Sequence, residues 1–297
     1  RVVPGRVHEA GAIGLPAHDE SRQRRDAQSN RRLRHLLAAI EHVAQPGAQK
    51  RVLRVVGHRR LLREQADRES PADWHIEPHA EEMVAADWAA SGARLHRFQR
   101  ASATASWGLT GRPLEVSLGR SGLAWAQEFA TPGMTQGPVK REGDACSPAG
   151  VFPVTALFGT SAPSEGTKLP WLQATPDLKC VDDPASQHYN RIVDRKGVGS
   201  IDWTSCEDML RNDRRYEVGA VVGCNVAPVV AGAGSCIFLH VWAAPSVPTA
   251  GCTAMALADM SVIASWLDGA AAPLLVQLPQ SEYEVLRAPW GLPRFNP

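Results

Sequence analysis

Residues 236–255 read Cys-Ile-Phe-Leu-His-Val-Trp-Ala-Ala-Pro-Ser-Val-Pro-Thr-Ala-Gly-Cys-Thr-Ala-Met. Ile237, Leu239 and Val241 alternate with Phe238, His240 and Trp242, which is the two-residue period of a β-strand. His240 is therefore expected on one face with Phe238 and Trp242. Pro245 and Pro248 end the strand, because proline brings no N–H to a ladder. Beyond Cys252 the period changes, and Met260, Ile263 and Leu267 follow helical spacing. Cys252 is thus expected where a loop turns into a helix.

A cysteine at that place has chemistry open to it. Thiolate is the reactive form, and a helix N-terminus lowers a thiol pKa through unpaired N–H groups and positive dipole charge. A neighbouring imidazole such as His240 takes the thiol proton and later returns it. Gly251 lets the backbone pass close to a reacting carbonyl, and the N–H groups around Cys252, at Gly251 and Thr253, are candidates to hold an oxyanion. On residue types alone two other readings stand, a structural strand histidine and a buried, inert cysteine. Zinc wants three or four ligands at recognisable spacing; the chain has no CxxC and no HExxH, so neither metal nor cofactor is expected.

Three elements, taken in order, resemble the active-site signature of the L,D-transpeptidases of the YkuD type. His240 followed by Thr249-Ala250-Gly251-Cys252 is similar to that family's strand-end histidine and its Ser/Thr-His-Gly-Cys element. Upstream, Gly137-Pro138-Val139-Lys140-Arg141-Glu142-Gly143-Asp144 and Ser147-Pro148-Ala149-Gly150-Val151-Phe152 resemble its strand-and-turn motifs. The resemblance spans residues 83–293. Ala250 stands where the family usually has a second histidine, and Ala254 where it has Arg or Asn. These departures bear on substrate preference and on the acceptor.

The resemblance implies a β-sandwich-like catalytic fold with a cleft over Cys252, located in the cell envelope or periplasm. It implies peptidoglycan stem peptides as partners. Cys252 would attack the carbonyl after the third residue of a tetrapeptide stem, with His240 as base and then acid. The thioester would pass to an amine, giving a crosslink, or to water, giving L,D-carboxypeptidase action. A non-catalytic peptidoglycan-binding relative, or an unrelated cysteine peptidase, are the alternatives. Thr249, Trp242, Lys140, Arg141, Tyr189 and Asn190 are the candidate substrate contacts. Lys140 or Arg141 suits a stem carboxylate; the alternative for residues 140–144 is a solvated hairpin end. Asp182-Asp183 precedes Pro184 and reads as a turn.

Net charge is +1 over 297 residues, which gives no general case for nucleic acid. Residues 1–80 hold 15 Lys/Arg against 10 Asp/Glu, leaving 17 against 21 in residues 81–297. Trp74 is the first segment's single aromatic residue. Residues 1–80 are therefore expected as a basic, weakly ordered or partly helical extension, with helical spacing at Leu33, Leu36, Leu37, Ile40 and Val43. No secretory signal and no apolar run long enough to span a membrane is visible, and the first residue is Arg, as in a fragment or a processed product.

Residues 81–297 are expected as one mainly β domain with few helices. Strands are anticipated from Met83, at Arg94–Arg100 after a Ser91-Gly92 turn, at Leu114–Leu118, at Val218–Cys224 and at Leu274–Leu278. Residues 160–215 read as irregular, 208–215 as a charged helix, and the tail after Leu278 as a surface segment. All six cysteines follow residue 145. With Cys252 kept as a free thiol, Cys180 and Cys236 are the candidate pair, since both flank segments expected near the cleft.

Overall fold

The computed structural model describes residues 79–102, 104–130 and 137–294. The expectations for residues 1–78, the basic extension and its helices, lie outside the described residues. In chain order the strands are β1 (His79–Ala85), β2 (Gly92–Gln99), β3 (Gly108–Ser117), β4 (Leu123–Trp125), β5 (Ser147–Gly159), β6 (Trp171–Gln173), β7 (Leu178–Val181), β8 (Arg191–Asp194), β9 (Cys206–Asp208), β10 (Val218–Val222), β11 (Phe238–Val241), β12 (Thr253–Met255) and β13 (Leu274–Pro279). Helix α1 (Leu257–Trp266) lies between β12 and β13, and α2 (Gln280–Leu286) follows β13. The domain is mainly β, and no helix among the described residues is long and apolar enough to cross a membrane.

The large sheet runs β10-β11-β12-β3-β2-β1-β13-β5-β4. β5 is 13 residues long and pairs with four strands, β4, β6, β10 and β13. Its first part pairs with β13, Gln277 opposite Gly150, and its second part with β10, Val218 opposite Gly159. β5 therefore closes the sheet on itself, so its arcs face one another across a shared core. Leu95, Leu114, Trp125, Phe152, Leu157, Leu239, Met255 and Leu278 fill that core. Met260, Ile263 and Leu267, the helical triplet of α1, are completely buried against it. At about 25 cal/mol per Å² of apolar surface, this burial is the main source of stability.

β11 is buried on both faces, and each face has a different purpose. Ile237, Leu239 and Val241 point into the main core. Phe238 points the other way into a second cluster with Phe158, Cys180, Met209, Tyr216, Cys236 and Cys252. That outer face is covered because β7, β8 and β9 form a separate three-stranded sheet laid against it. Leu178 and Ile192 of the small sheet pack on the second cluster.

Four sequence expectations change here. Residues 160–215 are not irregular: they supply β6 and the whole small sheet, whose strands are three or four residues long. Residues 208–215 form no helix. Asp213 instead accepts from the Arg211 guanidinium and the Arg215 N–H, a local turn network that replaces helical bonds. The tail is not a surface strap. α2 and Trp290 are docked, with Trp290 buried and its ring centroid 5.7 Å from that of Phe129. Finally, α1 begins at Leu257, and a short strand, β12, separates it from Cys252.

Candidate functional site

β11 and β12 run parallel, with Leu239 opposite Thr253 and His240 opposite Ala254. That register sets Phe238 across from Cys252, so Cys252, Phe238 and His240 share the outer face. The Phe238 N–H donates to Cys252 Sγ at 3.4 Å, and the thiol donates to the Cys236 carbonyl, also at 3.4 Å. Because β12 intervenes, no helix N-terminus acts on the thiol. Its pKa is instead pushed well up, first by burial and then by the Glu207 carboxylate; the Phe238 N–H, Lys140 and Arg211 pull it down. Cys252 is 9% exposed.

His240 is equally enclosed. Its Nδ1 lies 2.8 Å from the Val241 carbonyl oxygen. A carbonyl only accepts, so Nδ1 carries the proton and Nε2 is the basic nitrogen of the neutral ring. Burial pushes the imidazole down to about 4, with Arg215 and Arg211 adding to the shift and the Val241 bond opposing it. At neutral pH the resting pair is thus a protonated thiol and a neutral imidazole.

Hydroxyls fix the backbone at the thiol. Thr249 Oγ1 donates to the Cys252 carbonyl at 2.6 Å and Ser147 Oγ donates to it at 3.1 Å. The Gly251 N–H donates to Thr249 Oγ1 at 3.1 Å. Gly251 has a φ of 155°, and a side chain there would come within 3.2 Å of the Cys146 carbonyl oxygen. Glycine is needed for this approach. Thr249 is therefore a scaffold of the thiol, and the Gly251 N–H is already engaged rather than open to an oxyanion. The Thr253 side chain leaves the site altogether: it donates to Gln277 Oε1 at 2.7 Å, and Gln277 Nε2 donates to the Pro148 carbonyl.

The other candidate contacts fall into different places. Lys140 is buried, with Nζ 2.5 Å from Asp144 and 3.0 Å from the Arg141 carbonyl, so its charge is committed inside the protein. Asp144 also accepts from the N–H groups of Arg141 and Cys146, which makes residues 140–146 a self-bonded turn. Arg141 is exposed at its rim, and Trp242 is half-buried just past the end of β11. Buried Tyr189 donates to Glu142 at 2.5 Å, and Ser235 donates to the same carboxylate oxygen. Asn190, at φ 58°, donates to the Cys224 and Asn225 carbonyls and accepts from the Cys236 N–H. Both are ties between the small sheet and the rest of the domain. Asp183 forms the expected turn, accepting from the Ala185 and Thr204 N–H groups.

Sequence reasoning missed the groups that enclose the thiol. The Tyr216 ring stands edge-on to both Phe238 and His240, and its hydroxyl donates to Glu207. Burial raises the Glu207 pKa, and nearby Asp182 and Glu142 raise it further. Nothing local in the chain marks Tyr216 or Glu207. Ser147 did lie within a quoted motif, without a role. Cys180 and Cys236 are joined in a disulfide, the pair expected from sequence, and Cys252 carries a free thiol. Among the described residues no group of three or more His, Cys, Asp or Glu side chains is arranged to hold a metal ion. Comparison of the chain with protein-family models, curated proteins and solved structures gives no match in any of the three.

Proposed function

We propose that Cys252 and His240 form a nucleophile–base pair for acyl transfer on peptidoglycan stem peptides, the reaction of L,D-transpeptidases. One observation carries the reading: the two residues occupy the same face of adjacent parallel strands, and His240 holds its proton on Nδ1. Nε2 is then the nitrogen available to take the thiol proton as sulfur attacks the stem carbonyl. The resulting imidazolium returns that proton to the leaving D-residue. A second cycle transfers the acyl group from sulfur to an amine or to water. The motif resemblance supplies the substrate class, and the Cys180–Cys236 disulfide fits an oxidising compartment such as the cell envelope.

A stem-peptide-binding module without chemistry is the second reading. The burial of Cys252, which disfavours thiolate, is the observation on its side. Intact-mass measurement after exposure to a carbapenem, and separately to a tetrapeptide stem, distinguishes the two. The proposal expects an adduct on Cys252 that is absent in Cys252→Ala. Absence of any adduct from oxidised and reduced protein alike would favour the binding module.

A further inference from the structure

The small sheet is attached in an unusual way. β7, β8 and β9 pair only with one another, and among the described residues none joins the large sheet by a backbone ladder. The sheet enters from β6 and leaves through residues 209–217. In between, it is tied to the rest of the domain by side-chain bonds of Tyr189, Asn190 and Glu207, by the packing of Leu178 and Ile192, and by one covalent link, Cys180–Cys236. The apolar cluster beneath it contains Cys252 itself, together with Cys180, Met209 and Cys236. The cover over the thiol is therefore a separate layer held by a disulfide.

The position of that disulfide matters. Cys236 is the residue whose carbonyl accepts from the Cys252 thiol, and its own N–H is held by Asn190. Cys180 and Cys236 also line a cavity with Asn190, Ile192, Phe238 and half-exposed Val226. The cavity thus lies beside the bond, whose two cysteines are themselves buried. Parting of the two sulfurs frees β7 from the segment that carries the hydrogen-bond partners of Cys252.

We propose that the Cys180–Cys236 disulfide is a redox latch that holds the small sheet closed over Cys252, and that a dithiol reductant opens it. One thiolate of the reductant attacks a sulfur of the bond, forming a mixed disulfide and releasing the other cysteine as thiolate. The second thiol of the reductant then attacks the mixed disulfide. Two electrons pass to the protein, Cys180 and Cys236 end as thiols after taking up two protons, and the reductant ends as its disulfide. The small sheet, now held only by side-chain hydrogen bonds and by the packing of Leu178 and Ile192, swings on its two connections and admits substrate to Cys252. Any control of acyl transfer rests on the function proposed above, but the latch itself does not, and thiol labelling tests it without an acyl donor.

The experiment uses the full chain, oxidised or treated with dithiothreitol. An uncharged maleimide is added, and Cys252 is followed by peptide mass. Hydrogen exchange in β1 and β13 reports the large sheet in parallel. Slow labelling of Cys252 when oxidised, faster by about tenfold or more when reduced, with β1 and β13 still protected, is the expected result. The Cys180→Ser/Cys236→Ser variant should label fast without reductant. Cys252 that stays slow after reduction overturns the latch. So does Cys252 that is already fast in the oxidised protein, or loss of protection in β1 and β13 together with labelling, which would mean global unfolding.

Discussion

Tyr216 stands edge-on to His240, with ring centroids 5.4 Å apart, and its hydroxyl is given to Glu207. The aromatic ring thus lies between the imidazole and a carboxylate that also acts on Cys252. Glu207 raises the thiol pKa, second only to burial. Glu207→Gln removes that charge and keeps an acceptor for Tyr216. The midpoint of thiolate formation at Cys252, followed by ultraviolet absorbance against pH, should move down. An unchanged or higher midpoint would show that Glu207 does not act on the thiol. Tyr216→Phe leaves Glu207 without its donor and should cost about 1–3 kcal/mol of stability.

Two buried groups pull stability in opposite directions with pH. His240 is lowered to about 4 from an ordinary 6.5, so between those values the unfolded chain binds the extra proton. Its contribution is complete above 6.5 and lost as pH falls through 4. Glu82 is raised to about 8 from 4.5, by burial against the opposing bond from Tyr283. Its contribution is complete below 4.5 and lost as pH rises through 8. Relative to wild type, Glu82→Gln should gain stability as pH rises from about 4.5 toward 8, and His240→Gln as pH falls from about 6.5 toward 4, both read from denaturant melts. A mutant-minus-wild-type difference that does not change with pH over these windows would contradict the assignment at that residue.

The docked tail should matter to stability. Trp290 is 4% exposed and packs on Phe129. Trp290→Ala removes a buried aromatic side chain, at about 3–5 kcal/mol. At about 2–4 °C per kcal/mol, thermal melts should fall by roughly ten degrees. A shift of a degree or less would mean that the tail is not part of the core.

Gly219 is paired with His240 across the β10–β11 ladder. A Cβ there would sit 2.3 Å from the Phe158 ring and 2.7 Å from the Leu239 carbonyl oxygen. The ring can shift, but the carbonyl belongs to β11 and cannot move without moving His240. Gly219→Ala should therefore cost about 1–3 kcal/mol. It should also change the chemical shifts of the His240 ring. A melt and a histidine spectrum identical to wild type would refute the close approach.

The legible parts of the chain were those where a single period runs long enough. β11, β13 and α1 show alternation or helical spacing over several residues and stand close to where the sequence put them, whereas β1, expected from Met83, runs His79–Ala85 and Gly92, expected in the turn, opens β2. β7, β8 and β9 are too short for a period to declare itself, so the small sheet read as irregular. β12 failed for a related reason: Thr253–Met255 is three residues directly ahead of a helical pattern, which absorbed it. Of the candidate site, the face shared by His240 and Phe238 could be read from alternation. Tyr216 and Glu207 could not, because only tertiary packing brings them to the thiol. Lys140 illustrates the converse, a charged residue that reads as surface but is buried beside Asp144.

The pairing of β1 with β13 has a consequence for the order in which the molecule can be made. Among the described residues these are the first and last strands, joined in parallel with Ala80 opposite Leu274. β5 completes the ring only by holding β13 on one side and β10 on the other. During synthesis the β1–β2 hairpin leaves the ribosome with the outer edge of β1 vacant, and it stays vacant until residues 274–279 emerge. Such distant contacts make folding slow, and an open strand edge is a template for pairing with other chains. The growing chain is therefore most exposed to aggregation before its last strand arrives, and closure of the ring is a late event.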